Sequence, residues 1–107
     1  MKQVKLGNWE TKIDNTDVEF LKRYEKAAAY YGKHAGALPE AASASEMMNA
    51  IYQVFEKTFE IIFDKGCCEK MFGEKKSVDE CVSVYKTLIE AVNDFTPTLD
   101  KINALTL

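Results

Sequence analysis

Apolar and polar residues alternate near the start of the chain. On both sides of the dipeptide Gly7-Asn8, apolar or β-branched residues occupy every second position: Val4, Leu6, Trp9, Thr11 and Ile13. Two alternating segments joined by Gly-Asn are typical of a β-hairpin. We therefore predict an extended hairpin over residues 2–14. It must pack against helices, because an isolated pair of strands is only marginally stable.

From residue 16 to residue 95 the apolar spacing changes to three and four, which predicts amphipathic helices. The first stripe is Val18, Leu21, Tyr24, Ala28 and Tyr31; the second is Met48, Ile51, Phe55, Thr58, Phe59 and Ile62; the third is Val78, Cys81, Val82, Tyr85, Leu88, Ile89, Val92 and Phe95. We expect the first helix to end near Gly32 or Gly36, the second at Gly66 and the third before Pro97.

Each predicted helix begins with a hydroxyl residue that is followed three positions later by Glu. The pairs are Thr16 and Glu19, Ser43 and Glu46, and Ser77 and Glu80. In a capping box of this kind, the two side chains satisfy free amide groups of the first helical turn. The three boxes predict where the helices start.

Two glycines, Gly66 and Gly73, bracket a short segment between the second and third helices. A residue with a left-handed backbone commonly ends a helix, so we expect Gly66 to end the second helix and Gly73 to end a short helix at 67–72. The chain then reverses direction at this corner. The predicted fold is mainly α: a small antiparallel helical bundle of three main helices plus a short corner helix, with an N-terminal β-hairpin.

The chain of 107 residues favours a single domain, 1–107, with the bundle at 16–95 and a tail at 96–107. Pro39 predicts a connector at 36–42, because proline disfavours helix at the residue before it. Three apolar residues are spaced by three in the tail: Leu99, Ile102 and Leu105. The tail is therefore either one or two further helical turns or a segment that orders only on a partner.

Composition excludes several classes of function. Apolar residues make up 47% and charged residues 29% of the chain, and the net charge is -3. Lysines are interleaved with acids, whereas a nucleic-acid binder usually carries a basic face, so we expect no nucleic-acid partner. The sequence also shows no apolar signal-peptide core and no segment of about 18 apolar residues, so we expect a cytoplasmic protein without a membrane partner.

The residues that could carry chemistry give no catalytic pattern. Cys67, Cys68, Cys81 and His34 could in principle supply four zinc ligands, but no pair has the usual ligand spacing. Buried or incidental thiols are the favoured alternative, and His34 fits a role at the end of the first helix. We predict no catalytic residue, no metal and no cofactor, and therefore no enzyme.

Phe63, Met71 and Phe72 cluster at the corner and are our first candidates for a partner-binding surface. Apolar patches that the core does not cover often bind partners. The alternative is that these side chains plug the end of the bundle. The tail residues Leu99, Ile102 and Leu105 complete the candidate surface.

Residues 55–92 resemble the tail assembly chaperones of long-tailed phages and of prophages in Gram-positive bacteria. The resemblance is carried by the aromatic-rich helix at 55–63, the corner at 64–73 that closes on Phe72-Gly73, and the acidic restart at 77–81. Residues 55–92 form about a third of the chain, and the motif is structural.

The resemblance implies a chaperone that binds the tape measure protein and helps recruit tail tube subunits during tail morphogenesis. Such a protein acts in the host cytoplasm and is absent from the mature virion. Self-association into rings or spirals would suit a long client helix. Two alternatives stay open, namely a generic helical adaptor or regulatory module, and a cysteine-based metal-binding domain.

Overall fold

A computed structural model describes residues 1–36, 40 and 43–105. The elements, in chain order, are β1 (Lys2–Leu6), β2 (Trp9–Ile13), α1 (Val18–His34), α2 (Ala44–Phe63), α3 (Cys67–Phe72), α4 (Val78–Asn93) and α5 (Thr96–Ala104). The prediction of a mainly α-helical bundle with an N-terminal hairpin is confirmed. The predicted connector around Pro39 lies largely outside the described residues.

The hairpin forms in the predicted register. β1 pairs antiparallel with β2, with Leu6 opposite Trp9, so that Gly7 and Asn8 make the turn. Gly7 has a φ of 64°, a conformation that side chains disfavour and glycine adopts freely. The alternating face packs on the helices, and it buries Val4, Leu6 and Ile13.

Two of the three predicted helix starts are confirmed. The Ser43 hydroxyl accepts a hydrogen bond from the Glu46 backbone N–H at 3.2 Å, at the start of α2. The Ser77 hydroxyl accepts one from the Glu80 N–H at 3.3 Å, at the start of α4. Each bond satisfies one of the amide groups that a helix leaves free in its first turn.

The predicted cap of α1 at Thr16 is wrong, because Asp17 takes that position. The Asp17 carboxylate accepts the Glu19 N–H at 3.2 Å. Thr16 instead lies in a turn, where its N–H donates to the Asp14 carboxylate at 3.0 Å. Asp17, one residue after Thr16, therefore caps the helix, and α1 starts one position later than predicted.

The corner also differs in one detail from the prediction. Asp64, with a φ of 76°, is the residue that ends α2, and its N–H donates to the Glu60 carbonyl at 3.0 Å. Asp tolerates positive φ better than most residues with a side chain. Gly66, at a φ of 90°, precedes α3 in the left-handed conformation, and Gly73 follows α3 at a φ of 63°.

The core joins all the main elements. α1 packs on α2, α2 on α3 and α4, and α4 on β1. Five residues that the stripes assigned to the core are exposed instead: Val18, Met48, Val82, Ile89 and Phe95. Four others are buried although the stripes omitted them: Phe20, Ala27, Tyr52 and Val84. The buried face of each helix is thus narrower than its apolar stripe, or rotated from it.

Lys2 of β1 and Asn15, which follows β2, form hydrogen bonds with the end of α4, far away in the sequence. The buried Asn15 side-chain amide donates to the carbonyls of Val92 and Asp94, both at 3.0 Å. The Lys2 ammonium donates to the Ala91 carbonyl at 2.9 Å and also to the Asp94 carbonyl. Carbonyls at a helix end have no partner within the helix, so these bonds act as a long-range cap.

Candidate partner-binding groove

Two of the three corner residues of the predicted surface, Met71 and Phe72, lie inside the fold. Met71 is 1% exposed and Phe72 is 6% exposed. Phe63 is half-buried, and its ring meets that of Trp9 edge-on at a centroid distance of 5.3 Å. The burial of Met71 and Phe72 fits the alternative, in which these side chains plug the end of the bundle, whereas Phe63 keeps part of its surface exposed.

The hairpin turn seals this corner. The Asn8 N–H donates to the Met71 carbonyl at 2.8 Å. A Cβ atom on Gly7 would lie 2.4 Å from the same carbonyl oxygen, so only glycine permits this approach. The corner is closed by backbone contact as well as by side-chain packing.

The thiols of the corner are also enclosed. Cys67, Cys68 and Cys81 are all buried and free. A hydrogen bond to the Cys67 thiol, reinforced by burial, raises the pKa of Cys68, and burial raises the pKa of Cys81 to about 12. Cys68 and Cys81 therefore stay protonated at neutral pH, in the form that neither attacks substrates nor binds metals. Among the described residues, no three His, Cys, Asp or Glu side chains come together as metal ligands.

An apolar groove opens on another face of the molecule, where α1, α2 and α4 meet. Its volume is about 360 Å³, at the small end of the range for binding clefts. The lining residues are Tyr31 of α1, Phe55 of α2, and Val82, Tyr85, Lys86, Ile89 and Glu90 of α4. It is more apolar than the cavity beside the hairpin turn.

Three aromatic rings form the floor of this groove. Tyr31 lies 5.2 Å from Phe55 and 5.0 Å from Tyr85, measured between ring centroids, and Phe55 lies 6.1 Å from Tyr85. Burial and the neighbouring tyrosines raise the pKa of Tyr85, so its phenol stays neutral. The floor is uncharged, and it offers aromatic surface to an apolar side chain.

Val82 and Ile89 stand at the edge of the groove and remain exposed, at 50% and 39%. They are seven residues apart, so they occupy the same face of α4 two turns apart. With 100° per residue, that face lies roughly 90° from the buried line of Cys81, Tyr85 and Leu88. The third apolar stripe of the sequence is wider than the surface that one neighbouring helix can cover. Its width was therefore the signal that some of its residues would stay exposed.

A second cavity of about 230 Å³ lies beside the hairpin turn, and it is more polar. Lys5, Lys75, Ser83 and Thr87 are among its lining residues. Lys75 is already paired with Glu80 at 3.5 Å. No buried side-chain polar atom in the described part of the chain lacks a hydrogen-bond partner. This cavity therefore contains no buried polar group that awaits a ligand.

The predicted tail forms helix α5, which is the first of the two alternatives for it. None of the described residues of α5 is buried. Leu99 and Ile102 are each 54% exposed and Leu105 is 81% exposed, and Phe95 just before the helix is 37% exposed. Of the predicted surface residues, those of the tail are thus the most exposed.

Fold and site together define a small α-helical protein with an N-terminal β-hairpin, an apolar groove and an exposed C-terminal amphipathic helix. The chain belongs to the family of unknown function DUF6673, whose model matches residues 7–105. No curated protein and no solved structure matches the chain. None of the helices in the described residues is long and apolar enough to cross a membrane.

Proposed function

We propose that this protein is a phage or prophage tail assembly chaperone that holds a helix of the tape measure protein in the groove between α1, α2 and α4. The observation that carries the proposal is the groove itself, with an aromatic floor under two exposed aliphatic side chains, Val82 and Ile89. Amphipathic helices commonly bind proteins by laying their apolar face in such a groove. The tape measure protein is proposed as the client because residues 55–92 resemble tail assembly chaperones.

The groove suits a client helix better than a small molecule. Its floor supplies no buried charge, and its charged side chains, Lys86 and Glu90, stand one helical turn apart on α4. They can pair with opposite charges that flank an apolar stripe, and so orient a helix without adding much affinity. Many copies bound along one long client would add avidity to a weak single contact.

The proposed role has no catalytic step. The chaperone keeps the apolar face of the tape measure helix covered and helps recruit tail tube subunits, in the host cytoplasm, and it leaves before the virion matures. A tape measure gene close downstream of the gene for this chain is the expected genomic context. A metabolic operon around this gene would count strongly against the proposal.

The direct experiment is a binding titration with overlapping fragments of the tape measure protein from the same genome. We expect at least one helical fragment to bind, and Ile89→Asp to weaken that binding more than about tenfold, because a carboxylate cannot be buried against the aromatic floor. The matched control is Val18→Asp, since Val18 is also an exposed aliphatic residue, 62% exposed, but lies outside the groove.

Two outcomes would contradict the proposal. One is that no tape measure fragment binds the wild-type protein. The other is that a fragment binds Ile89→Asp as tightly as it binds Val18→Asp. Stoichiometric capture of one unrelated protein through the same groove would instead favour the generic helical adaptor.

A further inference from the structure

Tyr85 brings a polar group to the otherwise apolar floor of the groove. Its side chain is only 8% exposed, and it lines the groove beside Tyr31 and Phe55. We propose that the Tyr85 hydroxyl donates a hydrogen bond to an acceptor oxygen of the bound client, an inference that rests on the proposed function for the identity of that client. The client residue that lies over the floor is then a glutamine or a glutamate.

The Tyr85 hydroxyl has no hydrogen-bond partner in the part of the chain that the structure describes. Its ring packs against the rings of Tyr31, Phe55 and Phe59, none of which offers a group that bonds to it. Every enclosed side-chain polar atom of the described residues has a partner, so this hydroxyl is not enclosed. Because Tyr85 lines the groove, we place its hydroxyl at the groove surface, where an occupant would cover it.

The occupant has to supply an acceptor for the phenol proton. Burial, and then the nearby phenols of Tyr24 and Tyr31, raise the pKa of Tyr85, so the hydroxyl keeps its proton at neutral pH. A client group that only donates would leave this proton without a partner once the groove is covered, and an unpaired covered group is costly. Lys86, also in the lining, is a further donor that an acceptor oxygen can use.

Tyr52, the other buried tyrosine of the described chain, shows the contrasting structural role. It is 5% exposed, it does not line the groove, and its hydroxyl shares a hydrogen bond with the Cys68 thiol. Buried tyrosines usually find such a partner. The hydroxyl of Tyr52 is thus satisfied within the fold, whereas phenylalanine would pack as well as Tyr85 at position 85. The Tyr85 hydroxyl has a use only when something binds over it.

Glutamine and glutamate match both parts of this site. Their methylene groups can lie on the aromatic rings while an oxygen at the end of the side chain accepts the phenol proton. An aliphatic side chain in the same place would cover the hydroxyl without bonding to it. We therefore expect a client helix whose apolar stripe contains one glutamine or glutamate.

Two small probes test this site without any client: benzamide, an aromatic ring with an amide oxygen, and toluene, the ring with no acceptor. The NMR methyl signals of Val82 and Ile89, which line the groove, report binding. A ligand of benzamide's size should bind with a Kd of about 10 mM. Tyr85→Phe should weaken benzamide binding about three- to tenfold and change toluene binding less than about twofold.

Benzoate, used in place of benzamide, tells whether the groove prefers a carboxylate or an amide oxygen, and a loss of either probe in Tyr85→Phe supports the inference. Tyr52→Phe is the matched control, because it makes the same change at a buried tyrosine outside the groove. It should bind both probes like the wild type. Tyr85→Phe should melt no lower than the wild type, since its hydroxyl has no partner in the described fold.

Three results would overturn the inference. One is that benzamide and benzoate both bind Tyr85→Phe as tightly as the wild type. Another is that neither probe shifts the groove methyl signals at about 50 mM, well above the expected Kd. The third is that Tyr85→Phe melts more than about 4 °C below the wild type, because its hydroxyl would then have a role within the fold.

Failure of the proposed function gives a different pattern. If no tape measure fragment binds but benzamide behaves as expected, the proposed function is refuted and the acceptor site stands. If a fragment binds, replacing its glutamine or glutamate by leucine should weaken binding to the wild type more than binding to Tyr85→Phe. A fragment that binds both proteins equally, before and after that replacement, refutes this inference alone.

Discussion

The corner helix α3 and the C-terminal helix α5 are both short and both rich in apolar residues, yet one is buried and the other is exposed. Met71 in α3 is 1% exposed, whereas Leu99 in α5 is 54% exposed. The difference does not lie in the residues, which are similar aliphatic side chains. It lies in the packing: α3 packs on α2, and the hairpin turn bonds to Met71 through Asn8, whereas no described residue of α5 is buried.

This comparison shows that a small chain can bury one part of its apolar surface and leave another part exposed. The hairpin covers the corner and the end of α4, while the groove and α5 stay outside its reach. An apolar residue near a glycine-flanked turn is therefore no better candidate for partner binding than one in the tail. Whether an apolar residue is free to bind a partner depends on whether a distant segment of the chain packs on that residue.

The largest expected effect contrasts Met71 with Leu99. Met71→Ala should lower the free energy of unfolding by about 3 kcal/mol, because it leaves a cavity in a packed core. Leu99→Ala should change it by less than about 0.5 kcal/mol in the monomer, because the site is on the surface. Urea denaturation at low protein concentration measures both. Equal losses for the two variants would show that α5 is packed as tightly as α3.

Gly7 provides the next test, because it lies at the closest backbone contact of the corner. Gly7→Ala should destabilise the protein by about 2–3 kcal/mol, through the positive φ and the clash with the Met71 carbonyl. The control is Gly32→Ala in α1, where an added Cβ would touch nothing and alanine favours the helix by about 0.5–1 kcal/mol. A Gly7→Ala protein as stable as the wild type would mean that the hairpin turn does not seal the corner.

A smaller effect is expected at the long-range cap of α4. Asn15→Ala should lower the free energy of unfolding by about 1–3 kcal/mol, because it removes a buried bond to the Val92 carbonyl and a partly buried bond to the Asp94 carbonyl. Asn93→Ala is the matched control, since its exposed amide bonds only to the Ile89 carbonyl, four residues earlier. Thermal melting of the two variants compares them. A larger loss for Asn93→Ala would contradict the importance of the hairpin contact.

The smallest effect concerns acid pH at the start of α5. Hydrogen bonds from Thr96, and then the nearby Lys2 charge, hold the pKa of Asp94 below its ordinary 3.8. A lowered pKa in the folded state means that the contribution is present above the unfolded pKa and is lost as pH falls through the folded value. The Thr96 amide signal in NMR spectra should therefore shift below about pH 4. Asp94→Asn should abolish this pH-dependent shift of the Thr96 amide signal. If the variant shows the same shift, another titrating group causes it.

Local features of the fold could be read from the sequence. The hairpin register followed from alternation around Gly7-Asn8, and two helix starts followed from Ser43 and Ser77, because each depends on residues within a few positions. Asp17 was missed because two side chains compete for one helix start. Propensity alone does not decide such a competition.

The candidate site was harder to predict, because burial depends on contacts between distant segments. Apolar periodicity assigned Val82 and Ile89 to the core, but the neighbours of α4 cover only part of its apolar face. It also could not show that the hairpin turn would cover Met71. Only the tail residues were identified as a candidate surface and found exposed, and they lie beyond the last packed helix.

The bonds from Lys2 and Asn15 to the end of α4 also have a consequence for synthesis. They join residues 77 to 92 positions apart, so the loops they close are nearly as long as the chain. Contacts of such separation form slowly, because the closing entropy precedes any gain. On the ribosome the hairpin emerges well before its acceptors at 91–94. The nascent hairpin therefore cannot form these bonds until residues 91–94 have been synthesised and have left the ribosome.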